Sequence, residues 1–186
     1  MTGFDHFKFL APIYDKVISN GNFDRLIGLA DIPFDGYVLD LGGGTGRVAL
    51  SFNKISKNIE IVDITLGMLK VARKKGLNAI CANGELLPFP GDFFSRILII
   101  DALHHIKNQK QVTMEIWRVL QPGGFLIIVE PYYDHLSGKM IRVMEKVLLM
   151  GSKFLTDDSI LALFDNLSSG IQVVHEKGNS LLKIRK

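Results

Sequence analysis

Short apolar runs interleaved with segments of helical spacing constrain the fold of this chain more than any other feature. The runs lie at residues 37–41 (YVLDL), 59–63 (IEIVD), 78–82 (NAICA), 95–100 (SRILII) and 124–130 (GFLIIVE), with helix-period patterns at 47–54, 66–75 and 109–120. Val, Ile and Leu in near-unbroken succession mark strands covered on both faces, as a parallel sheet requires. Strand, helix, strand repeated in order predicts a doubly wound α/β sheet. At 186 residues the chain suits one domain, which buries roughly 70% of the surface its unfolded form exposes. The tightest apolar stretches, 97–100 and 125–129, fall far short of the ~20 residues of a spanning helix, despite a mean hydropathy of +0.22.

The remaining composition narrows the class. Hydrophobic residues at 47% and charged residues at 22% describe a globular chain and exclude disorder. The single cysteine, Cys81, excludes an intramolecular disulfide and a thiolate zinc site, and predicts a reducing, cytoplasmic setting. The first residues, MTGFDHFKFLAP, lack the basic and apolar regions of a signal peptide. A net charge of +3 with scattered Lys and Arg predicts a solvated surface rather than a nucleic-acid face.

The two ends differ from the middle. Residues 4–18 and 23–30 predict one or two helices, and we treat 1–30 as a helical lid over a core at 36–186, all within a single domain at 1–186. Phe4, Phe7, Phe9, Leu10, Ile13 and Tyr14 give that segment its apolar face. Residues 136–149 are helical in pattern, and the Met- and Leu-rich stretch 140–155 reads as amphipathic packing, with an apolar wall for a hydrophobic acceptor or a weak membrane-surface contact as alternatives. Thr156 reads as an N-cap, with Asp157 and Asp158 in the first turn of a helix reaching Leu167. Residues 171–175 and 181–185 around Lys177, Gly178 and Asn179 predict a closing β-hairpin.

Chemistry concentrates in VLDLGGGTGRVAL, residues 38–50. An apolar strand runs into Gly42, Gly43, Gly44, Thr45 and Gly46, and a helix begins directly after, so bare backbone approaches a ligand beside a helix N-terminus. Asp63 ends the second strand, where a carboxylate accepts hydrogen bonds from ribose hydroxyls. Loop and acid together specify a nucleoside-containing ligand. The dinucleotide fingerprint G-x-G-x-x-G fails in both registers, at Arg47 and at Thr45, and the Lys-Ser/Thr of a P-loop is absent. What stands here is D-x-G-x-G-x-G, formed by Asp40, Gly42, Gly44 and Gly46.

On these residues the chain resembles the class I S-adenosylmethionine (SAM) methyltransferases. IVDITLGMLKVARKKG (61–76) is similar to that family's second-strand block, NGELLPFPGDFFSRILIIDALHHI (83–106) to its adenine-binding turn and fourth strand, and RVLQPGGFLIIVEP (118–131) to its fifth-strand block. The branch it resembles is the type 11 group that includes the ubiquinone and menaquinone C-methyltransferases, and APIYD (11–15) fits that branch. The resemblance implies a Rossmann-like, three-layer α/β/α fold with sheet order 3-2-1-4-5-7-6 and strand 7 antiparallel. It implies SAM as cofactor, S-adenosylhomocysteine (SAH) as product and a small-molecule acceptor, aromatic or lipid-like, in a monomer or homodimer. The cofactor set it implies is Tyr14, Asp40, Gly42, Gly43, Gly44, Gly46, Asp63, Ile64, Met68, Asn83, Gly84, Glu85 and Asp101. Two positions depart from the family pattern. Asn83 stands where an Asp is common, and an amide oxygen still accepts from an adenine amino group. Asp101 stands where a small polar residue is common, and reads either as partner of the cofactor ammonium or as a helix cap or ion-pair partner.

Methyl transfer from a sulfonium requires mainly alignment and exclusion of water. The candidates over the methyl group are Tyr14, Asp101, His104, His105, Glu130, Tyr132 and Tyr133, with His105 preferred as the base for an acceptor that must lose a proton. A metal at Asp101, His104 and His105 is disfavoured, because adjacent histidines seldom aim at one ion. His6, His135 and His175 read as surface or hydrogen-bonded residues, and Trp117 as core. The absence of an N/D-P-P-Y/F motif after the fourth strand argues against nucleic-acid methylation. The competing readings are a non-catalytic SAM- or SAH-binding regulatory protein and an NAD-dependent oxidoreductase, the latter disfavoured by Arg47.

Overall fold

The computed structural model describes residues 24–31, 36–52, 58–132, 155–176 and 178–186. Seven strands form one sheet in the order β3-β2-β1-β4-β5-β7-β6. In chain order the elements are α1 (Asp24–Leu29), β1 (Val38–Leu41), α2 (Arg47–Phe52), β2 (Ile59–Asp63), α3 (Leu66–Lys74) and β3 (Asn78–Cys81). Then follow β4 (Phe94–Ile100), a 3-10 turn (Leu103–His105), α4 (Gln109–Val119), β5 (Leu120–Pro131), α5 (Asp157–Leu161), β6 (Gly170–Glu176) and β7 (Asn179–Arg185). β3, β2, β1, β4 and β5 run parallel, whereas β7 is antiparallel to both of its neighbours, β5 and β6. This is the implied order, with the predicted hairpin supplying the last two strands.

Alternation along each strand builds the three layers. Val38, Ile61, Leu98 and Ile127 point to one face, where Val48, Ala49 and Phe52 of α2 and Leu69 and Ala72 of α3 cover them, with Leu26 and Ala30. Leu39, Leu41, Val62, Ile97, Ile99, Leu126 and Ile128 point to the other, beneath Val112, Ile116 and Val119 of α4 and Ile160 and Phe164 around α5. Burial of both faces is why the strands read as unbroken apolar runs.

Two boundaries differ from the sequence reading by more than two residues. β5 starts at Leu120 rather than residue 124, because Leu120 pairs with Phe94 before the register shifts and Phe125 pairs with Arg96. Gln121, Pro122 and Gly123, which resemble a turn, are thereby absorbed into the strand, and Gly123 donates its N–H to the Lys186 carbonyl. α5 ends at Leu161 rather than at Leu167, since Leu163 and Phe164 already bond three residues back, to Ile160 and Leu161. Its N-terminus is as read: Thr156 caps the Ser159 amide and Ser159 Oγ accepts from the Thr156 N–H, a reciprocal capping box. Of the N-terminal helices, α1 is described. Residues 4–18 with Tyr14, Tyr133, His6, His135 and the helix at 136–149 lie outside the described residues.

Gly46 couples the glycine loop to this core. It has φ +76°, and a Cβ there would lie 2.4 Å from Leu77 Cδ1 and 2.9 Å from Ile61 Cδ1. Both the left-handed backbone and the overpacking penalise any side chain. Gly46→Ala is expected to lower stability by about 3 kcal/mol, read as a lower urea midpoint with unchanged slope.

Candidate functional site

Five parallel strands end on one edge of the sheet, and the segments leaving β1, β2, β3 and β4 line a cavity of about 590 Å³. Its wall includes Asp40, Gly42, Gly43 and Gly44 from the end of β1, Asp63, Ile64 and Met68 from β2 and α3, and Asn83, Gly84 and Glu85 after β3. Asp101, Ala102, His105 and Lys107 close it from the side of β4. Thus every described residue of the implied cofactor set lines one cavity, apart from Gly46, which packs between helix and sheet instead. Tyr14 lies outside the described residues.

The loop and the acid hold each other. Asp63 Oδ2 accepts from the Gly44 N–H at 3.0 Å, and Oδ1 accepts from the Thr65 N–H at 2.7 Å. Two backbone donors fix the carboxylate plane while leaving lone pairs for further donors. Gly42 has φ +77°, and a Cβ on it would meet the Ala102 Cβ at 2.6 Å, so the loop passes the turn after β4 only as glycine. Lys75 Nζ donates to the Thr45 carbonyl at 2.9 Å and braces the loop from α3.

Beneath the loop, Asp40 is 1% exposed and its Oδ2 has no hydrogen-bond partner. Burial pushes its carboxyl up to about 7, with Asp63 adding to the rise, while the Ala49 amide and Arg47 oppose it. Arg47, the first residue of α2, also stands 3.8 Å from Asp101 across the cavity. Asp101 itself has φ +51°, a left-handed conformation that Asp tolerates better than most residues. Its ion-pair reading is therefore realised in this structure.

The turn after β3 is held from behind by residues not singled out in the sequence. Glu115 of α4 accepts from the Leu87 N–H at 2.8 Å and from Arg118, which in turn donates to the carbonyls of Leu87 (3.0 Å) and Phe89 (2.8 Å). The Arg118 hydrogen bond holds the Glu115 carboxyl below the usual carboxylate range. Asn83 Oδ1 is engaged within its own turn by the Glu85 N–H at 3.0 Å. Only the i, i+3 spacing of Glu115 and Arg118 on one helix signalled the clamp in advance.

The five described candidates over the methyl group separate in space. His105 lines the cavity with Asp101. His104, Glu130 and Tyr132 do not: His104 and Glu130 are buried against each other, and Tyr132 stacks on His175 with centroids 4.3 Å apart. His175 bonds Asp157 at 2.5 Å, and partly buried Trp117 packs near Phe164. No cluster of three potential metal ligands occurs among the described residues. No described helix is long and apolar enough to cross a membrane.

A doubly wound sheet with a glycine loop, a helix behind it and a backbone-held carboxylate one strand away is the arrangement of a nucleoside-cofactor protein. Residues 39–128 match the family described as "Methyltransferase domain". A ubiquinone/menaquinone biosynthesis C-methyltransferase of Marinomonas sp. is 32% identical, over 76% of this chain and 68% of its own length. The corresponding enzyme of Pectobacterium atrosepticum is 38% identical over 50% of this chain and 41% of its own. Against that relative and several similar ones the chain spans under half of their length. A SAM-dependent methyltransferase of Thermotoga maritima, described as a possible histamine N-methyltransferase, superposes with a TM-score of 0.78 at 21% identity. That superposition covers 97% of this chain and 98% of the other, and establishes the fold. The chain belongs to the class I SAM-dependent methyltransferases, type 11 branch, whose cofactor is SAM.

Proposed function

We infer that this protein methylates a carbon of a small aromatic acceptor bearing an ionisable hydroxyl, of the reduced-quinone type. The observation that carries the reading is the placement of His105: among the described candidates it is the imidazole that reaches the cofactor cavity, on the side away from the ribose acid. The names of the similar C-methyltransferases support the acceptor class. The cavity fits the cofactor in its polar groups. A backbone-fixed carboxylate stands ready for ribose hydroxyls, an amide-bearing turn lies beyond it, and carboxylates at the opposite end suit a cation.

In this arrangement Asp63 and the loop grip the adenosine, the Asn83 turn and Met68 border the base, and Asp101 takes the ammonium end in place of Arg47. SAM supplies, when bound, a methyl group already activated by its sulfonium. His105 accepts the acceptor's hydroxyl proton as electron density develops at the ring carbon. The carbon that gains the methyl group then loses its own proton to solvent and restores aromaticity, and the hydroxyl recovers the proton held on His105. Orientation and desolvation within the cavity lower the barrier by roughly 7–11 kcal/mol, and the base contributes roughly 10²–10⁴-fold.

The test is transfer of labelled methyl from SAM to a panel of hydroquinones, naphthohydroquinones and non-ionisable aromatic controls. Turnover is expected with the hydroxylated rings alone. His105→Gln is expected to lower that turnover about a hundredfold while SAH affinity, read by calorimetry, stays within threefold. Methylation of controls and hydroxylated rings alike would remove the base from the mechanism.

A further inference from the structure

Glu130 is a carboxylate buried to 1% exposure on the central strand β5, and all of its described bonds point at one place. Its Oε1 accepts from the N–H groups of Ala102 (3.2 Å) and Leu103 (2.7 Å), and its Oε2 is bonded by Nδ1 of His104. His104 is 2% exposed, so the pair is sealed from solvent. The three groups Glu130 holds are consecutive residues of the turn that carries Asp101 and Ala102 into the cavity and ends on His105. The His104 ring also lies against the His105 ring, with centroids 4.0 Å apart and planes at 51°. Neither Glu130 nor His104 lines the cavity. A buried carboxylate costs several kcal/mol unless fully bonded, so its three donors together account for its presence.

We propose that Glu130 is a positioning residue that acts through His104 to fix the orientation and protonation of His105 at the cofactor cavity. An ionised carboxylate only accepts, so its bond requires the His104 proton on Nδ1. The His104 ring polarised in this way lies against the His105 ring, and through that contact it favours an imidazolium on His105. The other charged groups on the cavity wall are Asp40, Arg47, Asp63, Glu85, Asp101 and Lys107, and a substitution at Glu130 leaves each of these residues in the chain. This inference rests on the base assigned to His105 under the proposed function, yet it is read without an acceptor.

Glu130→Gln keeps the shape and an oxygen for the two backbone amides, but sets an N–H against Nδ1 and forces the His104 proton to the other nitrogen. His104→Asn is the companion variant: its amide N–H keeps a donor toward Glu130 and removes the ring beside His105. The measurement is the titration of the His105 imidazole by NMR in the SAH complex of the full chain, with the ¹⁵N shifts of His104 reporting its tautomer. In both variants the His105 midpoint is expected to fall by at least half a pH unit, with SAH affinity within threefold of the parent. A purely structural anchor would leave that midpoint unmoved in variants that bind SAH, and this result would overturn the proposal. If His105→Gln leaves turnover intact while the midpoint still moves, the coupling stands and the base assignment falls.

Discussion

Asp63→Ala is expected to weaken SAH binding about a thousandfold, or about 4 kcal/mol, by calorimetry. The size follows from what one side chain does. On the proposed reading its two oxygens accept from two ribose hydroxyls, and a hydrogen bond to a charged group contributes roughly 1.5–3 kcal/mol. The same oxygens hold the amides of Gly44 and Thr65, so the substitution also releases the loop that lines the cavity. Asp63→Asn separates the two effects, since an amide keeps the shape but offers a single accepting oxygen and sets a donor against one of the backbone N–H groups. It is expected to lose about thirtyfold, between the parent and the alanine variant. Affinity within fivefold of the parent in Asp63→Ala would remove the ribose from this carboxylate and the adenosyl orientation with it.

What the sequence disclosed and what it concealed divide along physical lines. The loop 42–45, Asp63 and the turn from Asn83 were legible because each is a short stretch that lines the cavity directly. The sheet order was legible through resemblance, and its parallel part through the apolar runs themselves. The start of β5 was hidden because Pro122 and Gly123 carry turn chemistry, and only pairing with Phe94 and with the end of the chain draws them into the sheet. Supporting residues were hidden for a different reason. Glu115 and Arg118 meet residues about thirty positions away, and Glu130 meets His104 across 26. Such contacts have no local signature, because the tertiary fold alone decides which buried polar group satisfies which. Glu130, Tyr132 and His104 lie with His105 at the edge where the parallel strands end, and all four stood as candidates in the sequence, with His105 preferred. One residue along the 3-10 turn is enough to direct His104 into the core and His105 to the cavity.

Asp40→Asn is expected to make the protein more stable at alkaline pH and to change it little in acid. Asp40 is ionised in the unfolded chain above its ordinary value of 3.8, whereas burial in the folded protein raises it to about 7. The folded state therefore binds a proton that the unfolded state has released, and stability falls as pH rises between these two values, then levels above the upper one. A rise of this size corresponds to about 4 kcal/mol between the limits. The asparagine variant, which has no proton to lose, should gain about 4 kcal/mol over the parent at pH 8 and only about 1 kcal/mol at pH 4.5, read from urea unfolding of the cofactor-free protein. An equal gain at both pH values would show that packing or hydrogen bonding, not ionisation, explains the difference. The carboxylate that costs this stability lies at the cavity with one oxygen unbonded and Arg47 close by. A cationic cofactor entering there favours the ionised form, so the same variant should bind SAM less tightly at pH 8 while its loss toward uncharged-sulfur SAH is smaller. Stability gained and sulfonium discrimination lost in one substitution would locate the destabilising charge in the cofactor site rather than in the core.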